Sequence, residues 1–193
     1  MSDENRQNAD DLAGKLLIAM PGIADPRFER AVVLVCEQSD EGTMGLIVNK
    51  LAEDISLNDL ADQLDLGAVD DTASQVVHFG GPVEMGRGFV LHSDEYVSGV
   101  SSHRIIEGVR LSTSVDVLED IAKGTGPRRA LLALGYTGWG AGQLEAEIRQ
   151  NGWLTAPAEA GFVFGGSGDG KWVAALREIG IDPLLLSSDA GHA

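Results

Sequence analysis

The chain has 193 residues, with 14 Lys and Arg against 30 Asp and Glu and a formal charge of -16 at pH 7. A molecule of that sign repels phosphate backbones and anionic lipid at long range, which argues against direct nucleic-acid binding. Cys36 is the single cysteine, so no intrachain disulfide forms, and no apolar run reaches the length of a membrane span or a signal-peptide core; the cytoplasm is the expected compartment.

Residues 1–11 carry Asp3, Glu4, Asp10 and Asp11 among Ser, Asn and Gln without an apolar period, the composition of a disordered acidic tail. A single domain is expected over residues 12–193. Residues 15–20 read as a buried strand stopped by Pro21 and Gly22, and Asp25-Pro26 predicts one short helical turn over residues 26–30. Residues 31–37 and 44–49 are aliphatic runs joined by a loop of hairpin length, an antiparallel pair. Ser56 is placed to cap a helix over residues 57–66, whose Leu57, Leu60, Ala61 and Leu64 share one face. Further strands are expected at residues 75–79, 88–92 and 109–113. Ser114 is placed to cap a helix over 115–123, which Gly124 stops. A strand over 130–134 leads into the glycine-rich segment 135–142, followed by a helix over 143–150. Short strands at 153–155 and 161–164 and a helix over 171–179 complete the chain. Irregular order with at least one hairpin indicates an α+β fold, a mixed sheet flanked by helices, rather than a doubly wound one.

Three segments carry residues with chemical potential. Residues 165–171, Gly-Gly-Ser-Gly-Asp-Gly-Lys, have the glycine spacing and lysine of a phosphate-cradling loop, but Trp172 stands where a magnesium-binding hydroxyl is needed and Asp169 would repel phosphate. A strand-to-helix turn capped by Asp169 is the simpler reading. Gly138, Gly140 and Gly142 around Trp139 lack the last glycine of a dinucleotide fingerprint; either the backbone passes close to another segment there, or the indole forms a binding wall beside Gln143. On the following helix Gln143 and Glu147 share a face, and Glu147 is a candidate base that more simply reads as a solvated carboxylate. The four histidines, His78, His92, His103 and His192, show no metal-ligand spacing, and neither a metal nor a cofactor is expected.

The segments Leu16-Leu17-Ile18-Ala19-Met20-Pro21, Gly45-Leu46-Ile47-Val48-Asn49, Gly80-Gly81-Pro82-Val83, Gly88-Phe89-Val90-Leu91-His92 and the run from Gly135 through Trp139 to Gln143-Leu144-Glu145 together resemble the YqgE/AlgH family of bacterial proteins. The resemblance spans nearly the whole chain from Gly14. It implies a branched, mixed sheet that includes a small barrel-like part, surrounded by helices. It implies no settled activity, although some members are called transcriptional regulators of alginate production. Ala31 replaces a serine and Gln38 a histidine usual in the family, so chemistry needing that histidine is not carried over.

The leading expectation is a non-enzymatic binding or regulatory protein whose partner is a small molecule or a protein. Its site would gather Asn49, the Gly80-Gly81-Pro82 turn, His92, Trp139 and Gln143, polar residues at strand ends beside glycine turns. The first alternative is an enzyme using His92 and Glu147 as a proton-transfer pair on a small substrate, which requires the two within hydrogen-bond reach in one pocket. The second is a transcriptional regulator acting indirectly.

Overall fold

A computed structural model describes residues 11–69, 75–97 and 102–186; the acidic tail expected at residues 1–11 lies outside them except for Asp11. The described strands are β1 (Lys15–Ala19), β2 (Val32–Ser39), β3 (Gly42–Ile47), β4 (Val77–Phe79), β5 (Val83–His92), β6 (Ser102–Ile106), β7 (Val109–Ser112), β8 (Ala130–Gly140) and β9 (Trp153–Pro157). They form one sheet in the order β6-β7-β5-β8-β3-β2-β1-β9, antiparallel throughout, and β4 adds to β8 in parallel. β8 is the branch point. Its first half pairs with both β5 and β4, and its second half pairs with β3.

The sheet curls into a half-barrel, and the alternation of side chains explains why β1 and β2 are apolar without interruption. Leu16, Ile18, Val32 and Leu34 face the inside of the curl with Phe89, Leu91, Val109 and Leu131. Leu17, Ala19, Val33 and Val35 face outward against Trp139, Leu144 and Trp153, so both faces are buried. The curl brings β6 back over the start of β1: a Cβ on Gly14 would stand 2.9 Å from Ile106 Cγ2.

Five α-helices lie among the described residues: α1 (Leu57–Gln63), α2 (Val115–Ala122), α3 (Gln143–Arg149), α4 (Ala160–Phe164) and α5 (Asp169–Glu178). The first two cover the outer face of the β5–β8 half through Leu57, Leu60, Val117, Leu118 and Ile121. Helix α5 fills the inside of the half-barrel with Trp172, Ala175 and Leu176. A 3-10 turn at Pro26–Phe28 starts from Asp25, whose side chain accepts from Arg27 N, and a second at Pro183–Leu185 starts in the same way from Asp182.

The helices at 57, 115, 143 and 171 and the hairpin fall where the sequence predicts them, and Ser56 forms a reciprocal capping box with Asp59. Residues 160–164 are helical rather than extended, because a five-residue apolar run has no period that separates the two. β6 is not anticipated; its Ser, His and Arg give it too little apolar character. β8 continues six residues past Leu134, since β3 supplies a partner for the glycine-rich stretch. Ser114 makes no side-chain cap bond, and α5 is preceded by Gly168 rather than capped by Asp169.

Candidate functional site

The glycines singled out in the sequence are close-approach positions. A Cβ on Gly80 would lie 2.3 Å from Gly135 O, and one on Gly81 would lie 2.2 Å from Tyr136 C and O. No L side chain fits there. Gly80 also bonds on both sides, its N–H to Leu134 O at 2.8 Å and its carbonyl to Ile47 N at 2.9 Å, so the Gly80-Gly81-Pro82 turn is wedged between β3 and β8. Across the sheet, a Cβ on Gly42 would stand 2.3 Å from Trp139 O.

Trp139 is 6% exposed, packed edge-on against Trp153 with ring centroids 5.8 Å apart. It is a core residue, not an exposed wall. Both indole N–H groups donate to Glu147 Oε2, from Trp139 at 3.0 Å and from Trp153 at 2.8 Å, while Gln143 Nε2 donates to Glu147 Oε1 at 3.0 Å. Gln143 Oε1 accepts in turn from Gly140 N at 3.0 Å. The solvated carboxylate expected at 147 is therefore a bonded hub that joins β8, α3 and β9. A shallow cleft of ≈ 330 Å³ opens over Gly138 between Glu37, Glu41, Thr43 and Tyr136; its exposed charges are acidic.

His92 belongs to the other end of the molecule. It is fully buried, with Nε2 2.8 Å from Ser112 Oγ and Nδ1 3.1 Å from Ser93 O, and its ring meets Tyr96 edge-on. Burial lowers its pKa. Its register partner on β8 is Ala130, nine residues before Trp139, roughly 30 Å of strand at about 3.3 Å per residue. The structure does not bring His92 and Glu147 together. The proton-transfer pair has no common pocket, and the His92–Ser112 contact has no exposed surface for a substrate.

Asn49, 1% exposed, is a clip for three segments. Its Oδ1 accepts from Val32 N at 2.8 Å, and its Nδ2 donates to Arg30 O at 2.8 Å and Gly168 O at 3.2 Å. Behind it Lys171, 4% exposed, donates to Val48 O at 3.0 Å and Val163 O at 2.7 Å, and burial brings its pKa down to about 8. This lysine reaches into the protein, so residues 165–171 do not form a phosphate cradle. Burial, together with the charge of Lys171, lowers the pKa of His78 to about 4. Among the described residues no group of three His, Cys, Asp or Glu could hold a metal ion, and no helix is long and apolar enough to cross a membrane.

The clip at Asn49 borders a groove that sequence reading does not find. It measures ≈ 610 Å³ and runs between the β1-to-β2 connection, with Met20, Pro21, Ile23 and Arg30, and the surface of α5 and the second 3-10 turn, with Trp172 and Leu184. Arg30 holds a left-handed backbone at φ 52. Its guanidinium lies 5.5 Å from the centroid of Trp172, and Nη1 bonds Asp169 Oδ2 at 2.7 Å. Trp172 is fixed by its own N–H, which donates to Ala19 O at 2.8 Å. The visible signals were the turn residues Pro21-Gly22 and Asp25-Pro26; nothing in the sequence joins them to Trp172.

Residues 16–184 match the AlgH-like family. The chain belongs to that family. A UPF0301 protein of Ruegeria pomeroyi is 55% identical over 184 residues, covering 95% of this chain and all of the relative, and one from Cereibacter sphaeroides is 53% identical over the same length and shares. The solution structure of the AlgH protein from Pseudomonas aeruginosa superposes with a TM-score of 0.77 at 39% identity, covering 95% of this chain and 97% of that one. A crystal structure of a Corynebacterium diphtheriae protein, 21% identical, shares the fold with a TM-score of 0.70, covering 96% and 97%. In this AlgH-like chain Gln38 accepts from Leu12 N at 2.7 Å and donates to Glu145 Oε1 at 3.0 Å, tying the segment before β1 to α3. Ala31 is wholly buried on the outer face, and its carbonyl accepts from Ala19 N at 2.9 Å.

Proposed function

We propose that this AlgH-like chain is a non-enzymatic binding protein whose site is the groove between the β1-to-β2 connection and α5, with Asn49 holding its floor in place rather than touching the ligand. The observation that carries the reading is the groove itself. Its volume lies within the few hundred to about a thousand cubic ångströms usual for small-molecule sites, its walls are mainly apolar with Glu29 and Arg30 as the exceptions, and Pro21, Pro26 and Pro183 stiffen its rim. The other polar clusters singled out by sequence are bonded inward: Glu147 to two indoles, His92 to Ser112 and Lys171 to two carbonyls. Any regulatory role is then exerted through ligand or protein binding, because a charge of -16 disfavours contact with DNA. The cytoplasm remains the proposed compartment, in keeping with one buried cysteine whose pKa burial raises to about 12.

The test is a small-molecule screen followed by two-dimensional proton–nitrogen NMR. Binders are expected to shift the amides of Gly22, Ile23 and Val173 and the indole N–H of Trp172. Binders that cluster on the Gly138 cleft or around His92 instead would overturn the assignment. A gel-shift assay is expected to show no salt-sensitive binding to duplex DNA; submicromolar binding at physiological salt would refute the charge argument.

A further inference from the structure

The ligand class can be read from what Arg30 leaves unengaged, an inference that rests on the groove being the binding site. Among the described residues Arg30 and Glu29 are the only charged ones on the groove wall, in a chain of net charge -16. Arg30 is held at three points: Asn49 bonds its backbone O, its Cζ lies over the Trp172 ring, and Asp169 takes Nη1. Its Nε and Nη2 donate to nothing among the described residues, and its side chain is 51% exposed. A positive φ at a residue other than glycine is a strained conformation, retained here where it presents a cation to an apolar cavity.

We infer that the groove takes a small amphiphile with one carboxylate on an apolar body, the carboxylate bonded by the free edge of the Arg30 guanidinium. The planar fork of an arginine matches two carboxylate oxygens, and an ion pair at the mouth of an apolar groove is shielded from water on one side. The apolar body lies along Met20, Ile23 and Trp172. A phosphate monoester fits the same fork but carries close to two charges near neutral pH, and Asp169, bonded to the fork, repels the second, as does Glu29 elsewhere on the groove wall; a monoanion meets less of that repulsion. Asp169 then holds Arg30 through Nη1, away from the free edge, and its negative charge partly offsets the attraction of the guanidinium for the ligand.

The experiment compares octanoate with 1-octanol, which have the same chain length and differ in charge, by NMR titration of the Trp172 indole and Val173 amide. Octanoate is expected to bind at least about tenfold more tightly than the alcohol, the scale of one charge-assisted hydrogen bond. In Arg30→Gln that preference disappears while octanol binding is unchanged, and in Asp169→Asn octanoate binds more tightly because a negative charge beside the bound carboxylate is gone. The second variant reports on the same contact without removing the arginine. Equal binding of acid and alcohol to the unaltered protein would overturn the carboxylate assignment and leave the groove standing. If neither probe moves the groove resonances, both the assignment and the groove reading fail.

Discussion

Trp139 and Trp172 are both buried indoles with bonded N–H groups, yet the charged residue beside each is used in opposite ways. At Trp139 the carboxylate of Glu147 accepts from two indoles and from Gln143, so its bonds close within the protein. At Trp172 the charged neighbour is Arg30, stacked on the ring, half-exposed and bonded through one nitrogen. The two regions share an aromatic-and-charge composition, but only the second keeps hydrogen-bonding capacity facing a cavity. Composition near a tryptophan therefore does not mark a site; unengaged donors do.

The largest expected effect tests the closed region. Trp139→Ala removes an indole packed against Trp153 and Leu144 and empties part of the outer core, which costs about 3–5 kcal/mol of unfolding free energy. Glu147→Leu leaves two indole N–H groups without their acceptor and costs roughly 2–3 kcal/mol. Because both substitutions remove the same Trp139–Glu147 hydrogen bond, the double variant should cost less than the sum, by denaturant melts. If Trp139→Ala melts with the unaltered protein, the indole is not a core anchor and the contrast between the two regions collapses.

Lys171, on the same helix as the groove residue Trp172, lies close enough to His78 for its charge to be felt there, and the pair gives a pH signature. Burial, with the charge of Lys171, takes the His78 pKa from the usual 6.5 down to about 4 in the folded state. Between those values the unfolded chain binds the proton and the folded chain does not. Stability from this group is thus fully present above pH 6.5 and is lost as the pH falls towards 4, by up to about 3 kcal/mol. His92, whose pKa burial also lowers, acts in the same direction. His78→Gln should flatten part of the slope in melts across that window; an unchanged slope would mean that His78 takes up its proton without cost in the fold.

The division between what the sequence disclosed and what it hid follows from range. The helices at 57, 115, 143 and 171 and the β2–β3 hairpin rest on local period and turn chemistry, and they are where the sequence puts them. The branched, curled sheet follows from the family resemblance. The glycines were conspicuous, but their reason was not: Gly81 is glycine because Tyr136, far along the chain, crosses over it, and Gly42 because of Trp139. Asn49, His92 and Trp139 were singled out as polar or aromatic residues at strand ends, and a hydrogen-bond clip or a core indole carries the same local pattern as a ligand contact. The groove was invisible for the same reason, since Met20 and Arg30 come from one end of the chain and Trp172 and Leu184 from the other.

The smallest expected effect is the sharpest test of the open region. Arg30→Gly deletes an exposed ion pair with Asp169 and a stacking contact on Trp172, contributions of at most about 1 kcal/mol each at such sites. The same change places glycine at φ 52, where the left-handed backbone carries no Cβ penalty, which returns roughly 1 kcal/mol. The added flexibility of the unfolded chain opposes this by a similar amount. The net loss should stay below about 2 kcal/mol in denaturant melts, against about 3–5 kcal/mol at Trp139. A residue kept for the fold would not be replaceable so cheaply at a strained position. A loss as large as that of Trp139→Ala would make Arg30 a structural residue like Glu147 and leave the groove without its cation for binding.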